Sequence, residues 1–101
     1  RIVDVKCPSS GEAAANRWAN LTLLHRRDEV KFVLGGREDF DFAREVVNEH
    51  RLPERCAVIF SPVDGRLTAA TLAEWILAEP LDVRLGVQLH KIIWPQRDRG
   101  V

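Results

Sequence analysis

Apolar positions recur along this chain with two different periods. Val30-Lys31-Phe32-Val33-Leu34 and Ala57-Val58-Ile59-Phe60 are short β-branched and aromatic runs, closed by Gly35-Gly36 and by Ser61-Pro62. Both predict strands. Ile2 to Lys6, ending at Cys7-Pro8, and the strictly alternating Val83 to His90 add a first and a last strand. Between them the period lengthens to that of a helix: Ala14, Trp18 and Leu21, then Phe40, Ala43 and Val47, then Leu72, Trp75 and Ile76. Ser9-Ser10-Gly11-Glu12 has the spacing of a capping box with Ser9 as N-cap, and Pro53 and Pro80 follow the second and third helices. The predicted order is βαβαβαβ, which implies an α/β fold with a parallel sheet joined by right-handed crossovers.

The strand faces narrow the architecture. A doubly wound sheet is covered on both faces, so its inner strands read as nearly unbroken apolar runs. Only the third strand does. Asp4 and Lys6 alternate with Val3, Val5 and Cys7; Glu29 and Lys31 with Val30 and Phe32; Arg84, Gln88 and His90 with Val83, Leu85, Val87 and Leu89. If strand order follows chain order, all three helices fall on the apolar side and the other face is polar. That is the layout of half a (β/α) barrel. The alternative is a sheet whose first and last strands are edges turning a polar side to water.

The 101 residues are expected to form one segment, 1–101, with no linker, repeat or low-complexity tract. Hydrophobic residues at 46% and charged residues at 30% suit a folded domain, not a disordered tail. Fifteen basic and fifteen acidic side chains cancel, so no global field draws in nucleic acid or anionic lipid, and neither is expected as a partner. No apolar run reaches the roughly 20 residues of a membrane helix, and no leader opens the chain, so a cytoplasmic location is the default. Cys7 and Cys56 belong to no CxxC pair and read as small buried residues. A strand-like start at Arg1 and the absence of methionine suggest a piece of something longer.

In parallel β/α architectures ligands gather at the carboxyl ends of strands. Those ends are Lys6-Cys7-Pro8-Ser9-Ser10-Gly11, Gly35-Gly36, Ser61-Pro62-Val63-Asp64-Gly65 and His90-Lys91-Ile92-Ile93-Trp94-Pro95. Pro8-Ser9-Ser10-Gly11 would offer hydroxyls and free N–H groups at a helix start, suiting a carboxylate, a ribose or a phosphate; equally, Ser9 is explained as a cap. Ser61 to Gly65 fits a nucleoside-contacting loop or a plain tight turn. Trp18 and Trp75 read as core. Arg37-Glu38-Asp39 and Arg97-Asp98-Arg99 read as solvated loop charges. No P-loop, GxGxxG, HExxH or Ser-His-Asp signature is present.

Four strings taken together at these separations are more specific: Asp4-Val5-Lys6-Cys7-Pro8-Ser9-Ser10-Gly11-Glu12, Asp28-Glu29-Val30-Lys31-Phe32-Val33, Ser61-Pro62-Val63, and Val87-Gln88-Leu89-His90-Lys91-Ile92-Ile93-Trp94-Pro95. Across essentially the whole chain the sequence resembles the 7-carboxy-7-deazaguanine synthase family of the radical S-adenosylmethionine superfamily, and looks like its carboxyl-terminal half. The resemblance implies an incomplete TIM-like (β/α) barrel and a homodimeric lyase. That enzyme converts 6-carboxytetrahydropterin to 7-carboxy-7-deazaguanine and ammonia, in queuosine and 7-deazapurine biosynthesis. It also implies S-adenosylmethionine, a 4Fe-4S cluster and Mg2+, with the cofactor supplying the radical chemistry.

Carried over by motif, Pro8, Ser9 and Ser10, with Lys6 nearby, resemble one S-adenosylmethionine-contacting loop. Ser61, Pro62, Val63 and Asp64 resemble a second. His90 and, as terminal carboxylate, Val101 are the implied substrate contacts. The family's CxxxCxxC motif and magnesium-binding residue have no counterpart here, and Cys7 and Cys56 cannot replace them. The chain alone is therefore expected to bind no cluster, to be inactive, and to expose a sheet edge prone to self-association. Two other readings compete: a complete flavodoxin-like α/β domain binding a nucleotide or a partner, and an inert scaffold or oligomerisation piece.

Overall fold

In the computed structural model, residues 1–16 and 18–87 are described. Four strands, β1 (Ile2–Val5), β2 (Glu29–Leu34), β3 (Ala57–Pro62) and β4 (Arg84–Leu85), form an all-parallel sheet in the order β1-β2-β3-β4. Two α-helices, α1 (Arg37–His50) and α2 (Ala69–Ala78), fill the second and third crossovers.

Both helices lie on one face. Val30, Phe32, Leu34, Val58 and Phe60 of the sheet share a single buried cluster with Phe40, Ala43, Val46 and Val47 of α1 and Leu72 and Ile76 of α2. The Phe60 ring meets Phe32 and Phe40 edge-on at centroid distances of 5.3 and 6.0 Å, and Phe40 reaches Trp75 of α2 at 5.5 Å. Such pairs add roughly 0.5–1.5 kcal/mol each beyond the area they bury.

The other face carries the alternate residues. In register across the sheet run the rows Ile2, Glu29, Ala57 and Asp4, Lys31, Ile59, Arg84. None of these side chains belongs to the buried set. Sequential strand order with helices on one side excludes the doubly wound, flavodoxin-like alternative, in which strand order reverses and helices cover both faces.

Four expectations are corrected. The first predicted helix does not form. Residues 8–23 instead make short 3-10 turns over Pro8–Ser10, Ala13–Ala15 and Trp18–Leu23. The cause is local: the Asn16 side chain accepts from Lys6 N–H (2.7 Å) and donates to Lys6 C=O (2.9 Å). An amide that satisfies a neighbouring strand in this way pulls the chain out of a continuous helical ladder. Trp18 accordingly is not core. It is 40% exposed and stacks on His50 at 6.1 Å.

The last strand pairs only over Arg84–Leu85, extended by a bond from Gly86 N–H to Phe60 C=O at 2.8 Å. Gln88 to His90 of its predicted span lie outside the described residues. Arg37, Glu38 and Asp39, expected in a loop, open α1. Cys7 and Cys56 are buried and free, as expected, and Pro53 and Pro80 stand beyond the ends of α1 and α2. No helix among the described residues is long and apolar enough to cross a membrane.

Candidate functional site at the carboxyl ends of the strands

Each strand delivers its following loop to the same rim of the sheet. After β1 the chain turns tightly at Pro8–Ser10. There Ser10 N–H donates to Cys7 C=O and Gly11 N–H to Pro8 C=O, both at 3.0 Å. The Ser10 hydroxyl donates to Cys7 C=O at 2.7 Å and accepts from Glu12 N–H at 3.1 Å, so it is spent on its own turn. No capping box exists: the residue before this turn is Cys7, and no α-helix follows.

Ser9 is held from across the rim. Asp39, in the first turn of α1 and 1% exposed, receives three donors from two loops. Ser9 N–H reaches one carboxylate oxygen at 2.9 Å, while Gly35 N–H at 2.6 Å and the Ser9 hydroxyl reach the other. A buried carboxylate needs such compensation, and its position in a first helical turn adds a favourable interaction with the helix dipole. Asp39 is therefore not the solvated charge that the sequence suggests. The signal lay in the helical period, because 39, 43 and 46 recur at i, i+4 and i+7 on the face that meets the core.

Gly35 is the point where three loops converge. A Cβ built on it would lie 2.8 Å from Ser9 Oγ and 3.1 and 3.2 Å from Cζ and Nη1 of Arg66. The β1 loop, the β2 loop and the loop after β3 thus meet over a residue with no side chain. Gly35 stands at a strand end that the sequence marks, whereas Arg66 carries no periodic signal and is not singled out by it.

In the third loop, Val63 N–H donates to Leu34 C=O at 2.8 Å, and Val63 C=O accepts from Arg66 and Leu67 N–H at 3.1 Å each. Pro62 ends β3, and Ser61 lies on the open face against Gly86, whose Cβ would fall 2.6 Å from the Ser61 hydroxyl. Asp64 is exposed at the loop tip.

Lys6 does not turn its ammonium to this rim as a free cation. Nζ donates to Asp4 Oδ2 at 2.6 Å, and Asp4 raises the Lys6 pKa above its ordinary value. Cys7, 1% exposed, has its thiol pushed up to about 12 by burial first, then by the nearby Asp39 and Asp4 carboxylates. A thiol so placed is not a nucleophile at neutral pH. His90 and Val101 lie outside the described residues. The structure therefore brings Ser9 and the residues after Ser61 to one rim, and commits Lys6 and Ser10 elsewhere.

Comparison with known proteins agrees with the sequence resemblance. The chain is 46% identical over 114 residues to the 7-carboxy-7-deazaguanine synthase of Koribacter versatilis, which covers 100% of this chain and 50% of that protein. It is 42% identical over 103 residues to the enzyme of the same name from Chlorobaculum tepidum (99% and 47%) and 33% identical over 100 residues to that of Clostridium acetobutylicum (98% and 45%). By sequence, the chain is a homologue of the 7-carboxy-7-deazaguanine synthases. It spans about half the length of the curated relatives it matches. No family model matches, and no solved structure matches significantly.

The residues present can be weighed against the groups such an enzyme implies. At the rim a hydroxyl and an arginine stand together against Gly35, polar groups of the kind that could meet S-adenosylmethionine. An iron-sulfur cluster finds no such fit. Among the described residues no group of three or more His, Cys, Asp or Glu side chains is placed to hold a metal.

Proposed function

We propose that this chain is the carboxyl-terminal half of the core of a 7-carboxy-7-deazaguanine synthase. It would form one half of an incomplete (β/α) barrel of the radical S-adenosylmethionine type and carry much of that cofactor's binding rim. The full enzyme contracts the ring of 6-carboxytetrahydropterin to give 7-carboxy-7-deazaguanine and ammonia. The observation that carries this reading is 46% identity along the whole chain to an enzyme of that name. The one-sided helical cover supports it, because in a (β/α) barrel every helix lies on the outer side of the sheet.

In this reading the cofactors supply the one-electron chemistry and the chain supplies binding and orientation. Ser9 contacts S-adenosylmethionine from the β1 side, with Pro8 and Ser10 shaping its turn and Lys6 bracing the strand end. Ser61, Pro62, Val63 and Asp64 contact it from the β3 side, and the backbone of Gly35 forms the floor. His90 and Val101 are assigned to the substrate on the resemblance alone. The free edge of β1 is where preceding strands would pair. Left unpaired it favours self-association, and the whole enzyme is expected to be a homodimer.

The test is to express the longer protein that contains this chain and reconstitute it anaerobically with iron and sulfide. With S-adenosylmethionine and Mg2+, conversion of 6-carboxytetrahydropterin to 7-carboxy-7-deazaguanine is expected. Failure of the reconstituted protein to cleave S-adenosylmethionine at all would overturn the assignment.

A further inference from the structure

We propose that the loop after β1 meets its ligand only by accepting a hydrogen bond from it, and that Asp39 is the positioning residue that sets this polarity. A serine hydroxyl has one proton and two lone pairs. In Ser9 the proton is directed to Asp39, because a carboxylate accepts and cannot donate. The two other donors on that carboxylate, Ser9 N–H and Gly35 N–H, fix its orientation. Ser9 is exposed, so the side of its oxygen turned to solvent offers lone pairs alone.

The backbone of the same loop excludes the opposite reading. Residue 8 is proline and has no N–H. The N–H groups of Ser9, Ser10, Gly11 and Glu12 are all engaged, by Asp39, Cys7 C=O, Pro8 C=O and the Ser10 hydroxyl respectively. An anion cradle needs several free N–H groups pointing at one spot, and this loop has spent all of its own. A carboxylate or phosphate is therefore not what Ser9 meets. The matching ligand group carries a donor: a hydroxyl, an amine or an ammonium. Arg66, whose guanidinium lies against the same point of Gly35 as Ser9 Oγ, supplies the opposite polarity. The rim then suits a ligand that presents a donor to β1 and an electron-rich group to the loop after β3.

This inference rests on the reading that the rim binds S-adenosylmethionine, and the two fail differently. The reconstituted full-length protein is compared as wild type, Ser9→Ala, Ser9→Thr, Asp39→Asn and the Ser9→Ala/Asp39→Asn pair. The readouts are S-adenosylmethionine binding by calorimetry, KM and kcat, with melting temperature as the control for folding.

Ser9→Ala is expected to weaken binding about tenfold, the usual size of one lost bond between polar partners, with the loss falling on KM. Ser9→Thr, which keeps the hydroxyl, restores most of the affinity. In Asp39→Asn the N–H2 faces the Gly35 N–H when it lies beside Ser9 Oγ and the Ser9 N–H when the amide is flipped, so in either orientation one bond that holds this cluster is lost and binding falls. The pair is no worse than the poorer single variant. Inorganic phosphate does not compete at this loop.

Wild-type affinity in Ser9→Ala, additive losses in the pair, or competition by phosphate that Ser9→Ala relieves would each overturn the assignment of polarity. If Asp39→Asn does not fold, the Ala and Thr variants decide alone. If the wild-type protein binds no S-adenosylmethionine, the underlying reading fails and this one with it.

Discussion

The two faces of one four-stranded sheet behave as two different materials. On the helix side, Phe32, Phe40 and Phe60 are completely buried and touch ring to ring. On the other side, Asp4, Lys31 and Arg84 share a register row with Ile59, and Val33 is 38% exposed. Successive side chains of a strand point to opposite faces, so both behaviours are written into the same residues, alternately. The difference teaches where stability and function separate. The closed face holds the sheet together, while the open face mixes charged and apolar residues and is left partly exposed.

The sharpest way to break this contrast is a pair of truncations one residue apart. Phe60→Ala removes a fully buried ring and is expected to cost about 3–5 kcal/mol in urea unfolding. Ile59→Ala, on the open face and half-buried, is expected to cost about 1 kcal/mol. Equal losses would mean that the open face is as firmly covered as the closed one.

The closed face can also be probed by pH. Cys7 has an ordinary thiol value near 9.0 when unfolded and about 12 when folded, chiefly through burial. The folded state holds this proton more tightly than the unfolded state does. The corresponding stability is complete below pH 9.0 and is lost as pH rises from 9.0 toward about 12. Cys7→Ala is expected to flatten that part of the stability profile. A profile that stays the same in the variant would place the alkaline loss elsewhere.

Two glycines give a smaller, signed effect. At Gly86 a Cβ would sit 2.6 Å from Ser61 Oγ and 2.7 Å from Ile59 Cγ2, so Gly86→Ala is expected to cost about 1–3 kcal/mol by overpacking. At Gly36 nothing lies within 4 Å, and its backbone is extended. Gly36→Ala should therefore be neutral or stabilising by about 0.4–1 kcal/mol, through the unfolded state. Thermal melting of the two variants separates them. A tolerated Gly86→Ala would show that β4 can draw back from β3.

Much of this was legible beforehand because it depends on periods of two and of 3.6. The alternation in β1 and β2, the buried stripe of α1 and the stops at Pro53 and Pro80 follow from side-chain direction and from a missing N–H. The segment between β1 and β2 was misread for a reason of the same kind. Ala14, Trp18 and Leu21 have helical spacing, but Asn16 found a better partner in the Lys6 backbone than in its own turn. In the rim, Ser9 was found through its place at a strand end. Its partner was missed because residues 30 apart in sequence carry no local sign of meeting.

The sequence by itself determined the alternation of strands and helices, the apolar side of each element and the homology to 7-carboxy-7-deazaguanine synthases. Local geometry, solvent exclusion and shared ancestry are all carried by residue order. Only the tertiary structure decided that the helices share one side, that Asp39 is buried beneath two loops, and that the Ser9 hydroxyl is committed to it. Each of these depends on which distant groups a donor can reach, and that distance exists only once the chain has closed on itself.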